Sequence, residues 1–132
     1  MKLRTTTAIL ALGMTAGAAQ AQDWPRQPVR IIVNFAPGGA ADLLARVIGQ
    51  PLQEALGQPV VVENKGGAGG NIGGQAVAEA APDGYTLLMS SGGMVSTNPH
   101  LYSKMPFDPA KHLLPVASVA RVPFYLVVRA DN

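Results

Sequence analysis

An apolar, β-branched run from Val29 to Phe35 ends abruptly at Pro37-Gly38-Gly39, and helical periodicity begins just beyond it. This junction constrains the fold most. A continuous apolar run, as opposed to an alternating one, reads as a strand buried on both faces, as in a parallel sheet. Proline and glycine end it. The following helix places Leu43, Leu44, Val47, Ile48, Leu52, Ala55 and Leu56 on one predicted apolar face. The start of such a helix leaves backbone N–H groups unpaired and carries the positive end of the helix dipole. The junction is therefore a ready anion site.

The pattern repeats along the chain. Asp42 suits the first helical turn, and Arg46 follows at the spacing for a local ion pair. Pro51 has no N–H for the carbonyl of Val47 and is expected to kink or split the helix. Gly57 reads as its C-cap, with Pro59 following. Val60 to Glu63 is a second short buried strand. It leads into a glycine-dense segment, Asn64 to Gly74, and then a predicted helix, Gln75 to Ala81. Pro82-Asp83-Gly84 signals a turn, Tyr85 to Ser90 a third strand, and Ser91-Gly92-Gly93 a third small-residue loop. Asn98 to Tyr102 reads as a short helical turn, 106–109 as irregular, and Val116 to Ala120 and Phe124 to Arg129 as two more strands. The order β-α-β-α-β specifies an open, mostly parallel α/β sheet.

The first residues read as a cleavable export signal. Lys2 and Arg4 form a basic start, Ala8 to Ala18 an apolar stretch, and Ala19-Gln20-Ala21 a small-x-small cleavage site, with cleavage expected after Ala21. The stretch falls short of the roughly 20 residues that span a bilayer. No cysteine follows it, which excludes a lipoprotein anchor. The expected products are a signal peptide, 1–21, and a periplasmic chain, 22–132, of about 111 residues, enough for one small domain. The full sequence has 10 Lys+Arg and 8 Asp+Glu; without Lys2 and Arg4 the charges balance. Nucleic-acid binding thereby loses its electrostatic footprint. With no cysteine there is no disulfide, thiolate nucleophile or zinc-thiolate site, and His100 and His112 are not spaced as a helical metal pair. No cofactor or metal is expected.

Three small-residue loops, 37–41, 66–71 and 91–93, each follow an apolar strand. In a parallel sheet all three lie at the carboxyl edge, where open α/β sheets bind ligands. Glycine permits close backbone approach. Ser90, Ser91, Thr97, Asn71 and Asn98 add neutral hydrogen-bonding groups. Such a site is rich in donors and poor in charge, and it suits a carboxylate held by backbone amides and ordered water. Plainer readings compete. A Gly-Gly after a strand is commonly just a tight turn, and Asp42 is a helix-start residue before it is a catalytic acid. Arg46 is a surface partner of Asp42 or a neutraliser of a bound anion. His100 and His112 read as solvated loop residues, Lys65 as loop surface, and Met89 and Met94 as apolar filling. The repetition of one loop type at one edge favours binding. No Gly-Lys pair supports a phosphate loop, Ile72 breaks the dinucleotide spacing, and no Gly-x-Ser-x-Gly elbow is present. An exported α/β hydrolase using Ser90 or Ser91 is the enzyme alternative.

Several stretches together resemble the periplasmic solute receptors of tripartite tricarboxylate transporters, the Bug-type receptors. They are Trp24-Pro25, Pro28 to Val33, Pro37-Gly38-Gly39-x-x-Asp42 with Ala45-Arg46, Leu56 to Asn64, Gly67 to Gly73, Asp83 to Leu88, and Asn98-Pro99 with Leu101-Tyr102. The resemblance covers essentially the whole expected mature chain. It implies a two-lobed, Venus-flytrap receptor of the type II-like class that closes on small organic acids and hands them to a membrane permease. By resemblance, Phe35, Pro37, Gly38, Gly39, Ala40 and Asp42 on the first loop and Gly69, Gly70 and Asn71 on the second hold a carboxylate, largely through backbone groups and bridging water. Ser90 and Ser91 are further candidates on the third. The chain departs from the family at Pro51 and in length: members are considerably longer, and this chain reads as a partial, truncated first lobe without the second. A monomer is expected. The alternative to a receptor fragment is a non-functional remnant.

Overall fold

A computed structural model describes residues 24–123 and 125–130. The expected signal peptide, 1–21, the expected first mature residue, Gln22, and Phe124 lie outside the described residues. Three parallel strands form one sheet: β1 (Val29–Val33), β2 (Val60–Asn64) and β3 (Thr86–Met89), in the order β2-β1-β3. β1 is central, which accounts for its unbroken apolar run: Val29, Ile31, Ile32 and Val33 are all buried. Arg30, the exposed exception, faces Glu63 across the strands at 3.8 Å. In the register, Ile31 lies opposite Val62 and Leu87, and Val33 opposite Asn64 and Met89. Parallel pairing brings the carboxyl ends of all three strands to one edge.

α1 (Ala40–Leu56) covers one face. Ile31, Val33 and Ala45 form the core there, with Phe35, Ala41, Leu52, Val60, Val62, Leu87 and Met89 packed around them. Each fully buried aliphatic side chain contributes about 1.5–3 kcal/mol. For this helix, the split at Pro51 and the predicted inward face are corrected. It does not split at Pro51 but runs through it. Val47, whose carbonyl Pro51 leaves without a helical donor, is 70% exposed, so the lost bond falls on the water side. The buried face also differs from the predicted one. Asp42, Ala45 and Gly49 point inward, while Leu43 and Val47 face outward. Small residues win because they let the helix lie close to the sheet: a Cβ at Gly49 would stand 3.7 Å from Val60 Cγ1. Gly57 ends the helix as expected, left-handed at φ 65°, its N–H bonded to the Gln53 carbonyl at 2.9 Å.

On the second connection, a single 3₁₀ turn, Ala68–Gly70, leads into α2 (Asn71–Ala78). The helix therefore starts and ends earlier than the predicted Gln75 to Ala81. Gly73 and Gly74 belong to it because nothing larger fits. A Cβ at Gly74 would stand 2.5 Å from Phe107 Cζ, and Phe107 and Met94 are both buried beside it. Gly92 and Gly93 likewise open a short helix, α3 (Gly92–Ser96), where a loop was expected. α4 (Asn98–Leu101) matches the predicted turn. α5 (Pro109–His112) replaces the last residue of the irregular stretch, and Asp108 Oδ1 caps it by accepting from the Ala110 N–H at 3.0 Å. His100 and His112 thus lie in short helices, not loops.

The strands expected at 116–120 and 124–129 are absent among the described residues, where this stretch is irregular and Leu126 is 97% exposed. Apolar, β-branched composition makes a strand only where a neighbouring edge completes its hydrogen bonds. Among the described residues no helix is long and apolar enough to cross a membrane.

Candidate functional site

The residues following the three strands form a rim at the carboxyl edge. The first loop, 34–39, leaves β1 and turns at Gly38, whose φ of 82° is a left-handed conformation that suits glycine. A buried carboxylate braces it from behind. Asp42 is 3% exposed; its Oδ2 accepts from the Gly38 N–H at 2.9 Å and its Oδ1 from Asn64 Nδ2 at 3.0 Å. Arg46 pairs with Oδ1 at 3.0 Å, as the spacing predicts. Asn64 Nδ2 also reaches the Phe35 carbonyl, at 3.3 Å. The Gly38 N–H, then Arg46 and Asn64, lower the Asp42 pKa from 3.8 to about 2, against the opposing pull of burial. Asp42 is thus an ionised brace for the turn.

The second loop, 65–70, lies against the first: a Cβ at Gly66 would stand 3.4 Å from the Ala36 nitrogen. Asn98 Nδ2 holds it from the far side, donating to the Gly69 carbonyl at 2.9 Å and to Asn71 Oδ1 at 2.7 Å. Asn34 joins it to the third loop, donating from Nδ2 to the Gly70 carbonyl at 3.3 Å and to Ser90 Oγ at 2.8 Å. The sequence-predicted residues therefore do converge. Phe35, Pro37, Gly38, Gly39, Ala40 and Asp42 sit on the first segment, Gly69, Gly70 and Asn71 on the second, and Ser90 and Ser91 on the third, with all three segments joined at one edge. Within the set, Pro37 to Ala40, Gly69 and Ser91 are exposed, whereas Asp42, Gly70 and Asn71 are buried.

The glycines of the second loop have a reason that sequence reasoning assigned elsewhere. Gly69 (φ 64°) lies against Tyr102, whose hydroxyl would be 2.6 Å from an added Cβ, and Gly70 (φ 93°) lies against the Asn34 amide. The close approach that requires glycine is made by the protein's own side chains. Asn34, Asn64 and Tyr102 were missed as site residues. The available signal was an asparagine at the end of each of two apolar strands, at 34 and 64; the second strand, expected to be buried, is an edge strand with Val61 exposed.

Three helices begin at this rim: α1 after Gly39, α2 after Gly70 and α3 after Ser91. None of these three cap residues makes a side-chain cap hydrogen bond. The first α-helical bond of α1 is Leu43 N–H to the Gly39 carbonyl, at 3.0 Å, so the amides of Ala40 and Ala41 precede it. Above Gly38 and Gly92 the surface is open, for a Cβ at either would meet nothing within 4 Å. A hollow of about 520 Å³ lies elsewhere, toward the amino-terminal ends of the strands, against Gln27, Arg30, Glu63 and Tyr85. The rim exposes the start of α1, where the Ala40 and Ala41 amides precede the first helical bond, beside small side chains, an arrangement suited to an anion; the N–H groups of Gly38, Gly70 and Asn71 are bonded within the protein. The Ser90 hydroxyl accepts from Asn34 and donates to the Ser91 carbonyl at 3.2 Å, partners that do not activate a nucleophile. Among the described residues no three His, Asp or Glu side chains group to hold a metal ion.

Comparison with known proteins identifies the family. Residues 44–132 match the tripartite tricarboxylate transporter family receptor. The chain is 46% identical over 117 residues to protein BugT of Bordetella pertussis, covering 86% of this chain and 36% of that one. It is 40% identical over 132 residues to a protein encoded in the tcbD-tcbE intergenic region of a Pseudomonas species, covering 98% and 39%. Among solved structures, MatC from Rhodopseudomonas palustris with bound malate is 40% identical with a TM-score of 0.69, covering 73% of this chain and 33% of that one. R. palustris Rpa4515 with adipate is 42% identical with a TM-score of 0.64, covering 67% and 29%. The chain thus spans little more than a third of the length of these curated relatives. Its strand–loop–helix rim and these matches together show that the chain belongs to the tripartite tricarboxylate transporter receptor family.

Proposed function

We propose that this chain forms one wall of a periplasmic receptor cleft for small carboxylates, di- or tricarboxylates or related organic acids. Its ligand passes to the membrane permease of a tripartite transporter. The observation that carries the reading is the convergence of three strand–loop–helix junctions, none capped by a side chain, on one open, neutral rim. Solvent-facing amides at a helix start favour negative charge. The relatives solved with malate and adipate support a dicarboxylate. Phe35, Pro37, Gly38, Gly39 and Ala40 offer main-chain groups, Gly69, Asn71, Ser90 and Ser91 line the approach, and Asp42 and Gly70 act from beneath. The basic start, the apolar stretch and the Ala19-Gln20-Ala21 motif of the sequence support export with cleavage after Ala21.

A single open wall buries little of a small ligand, so affinity on the order of millimolar is expected. The test is an NMR titration of the chain with malate, adipate and a neutral diamide of malate. Both acids should shift the amide signals of Ala36, 38–41, 69–71 and 90–92, and the diamide should not. Gly39→Val, which crowds the open turn, should reduce the shifts. Equal response to the diamide, or shifts confined to other surfaces, rejects the assignment. The competing remnant reading predicts a chain without a cooperative thermal transition.

A further inference from the structure

We infer that Asn34 is a positioning residue, a buried amide that sets the spacing of the second and third rim loops. The inference rests on reading the rim as the binding face. Asn34 is 1% exposed, directly after β1, and its own N–H is held by the Met89 carbonyl at 3.3 Å. Its Nδ2 serves two loops at once, through the Gly70 carbonyl and Ser90 Oγ. Its Oδ1 is sealed from solvent without a hydrogen-bond partner. The surroundings are shaped to it. A Cβ at Gly70 would strike the Asn34 amide, and one at Gly73 would stand 2.7 Å from Asn34 Cβ.

The unmet Oδ1 is a local cost, whereas removing Nδ2 would leave the buried Gly70 carbonyl and Ser90 Oγ without their donor. What leucine and aspartate both lack is a pair of donor hydrogens diverging from one nitrogen. Those hydrogens reach Gly70, which starts α2, and Ser90, which precedes the start of α3. The side chain thereby fixes where two helix starts stand relative to each other.

The test compares the wild-type chain with Asn34→Leu and Ser90→Ala, by thermal melting and by amide hydrogen exchange. In Asn34→Leu, Tm should fall only modestly, since removal of the unmet Oδ1 offsets part of the two lost hydrogen bonds. Exchange should nevertheless quicken roughly three- to tenfold at Gly70 and Asn71, whose N–H groups bond to the Gly67 and Ala68 carbonyls. In Ser90→Ala the side-chain amide signals of Asn34 should move. Failure to fold in Asn34→Leu, or exchange quickened equally across α1 and all three strands, overturns the inference, because the residue is then held for overall stability. Unchanged exchange at Gly70 and Asn71, or an unmoved Asn34 signal in Ser90→Ala, overturns it as well. These readouts need no ligand. Failure of malate and adipate to bind rejects the cleft reading and leaves the clamp standing; tight loops in Asn34→Leu reject the clamp whatever malate does.

Discussion

Asp42 shows how one side chain can serve a site without facing a ligand. Its carboxylate is buried, and the Gly38 N–H, Arg46 and Asn64 keep it ionised with a pKa of about 2. The folded value lies below the ordinary 3.8, so the unfolded chain binds the proton more readily. The resulting stabilisation is complete above roughly pH 4 and is lost as the pH falls through 2. Asp42→Asn should therefore lower the urea midpoint at pH 6, with the gap to wild type closing toward pH 2. A gap that is constant with pH would show that the charge does not matter. Asp108 is also lowered, by Lys111, and acts in the same sense, but the comparison removes it because both chains retain it. The Asp42–Arg46 pair was legible from spacing alone. The Asn64 contact was not, because it joins residues 22 apart that meet only after β2 has paired with β1. Asn34 was illegible for the same reason: its partners are 36 and 56 positions away.

At the scale of elements, glycine was the residue most readily misread. Its density from 66 to 74 suggests a long loop, yet Gly73 and Gly74 are helical and buried. In an isolated helix, Gly→Ala gains up to about 1 kcal/mol. Here Gly73→Ala should be destabilising by about 1–3 kcal/mol, because its Cβ would stand 2.8 Å from the Lys65 carbonyl and 2.9 Å from Asn34 Cα. Both are backbone atoms that cannot swing aside. Chemical denaturation checks this; a stabilised variant would mean that α2 lies farther from the rim. The same reasoning explains α1. Strand, turn and C-cap were readable because each depends on local sequence. The inward face was not, since the sheet selected Ala45 and Gly49 over Leu43 and Val47.

Across the whole molecule, the sheet and its covering helices account for the residues up to about 112, and the apolar stretch beyond them is where local pattern and structure part. Residues 116–120 and 124–129 have the composition of strands. The described part of this stretch pairs with neither β2 nor β3, the strands at the two edges of the sheet. The two views predict different outcomes for one substitution. If the stretch were packed in a sheet, a lysine at 126 would bury a charge and unfold much of the domain. With Leu126 in solvent, Leu126→Lys should change stability by less than about 0.5 kcal/mol and raise solubility, since an exposed, weakly charged, β-prone segment is an association hazard. Ile32→Ala, in the fully buried centre of β1, is the control and should cost about 2–5 kcal/mol. Melting curves of the two variants, beside light scattering of Leu126→Lys, decide between the views. A large loss in Leu126→Lys would place the stretch inside the core. Small effects would confine the cooperative unit to the three strands and helices that build the rim.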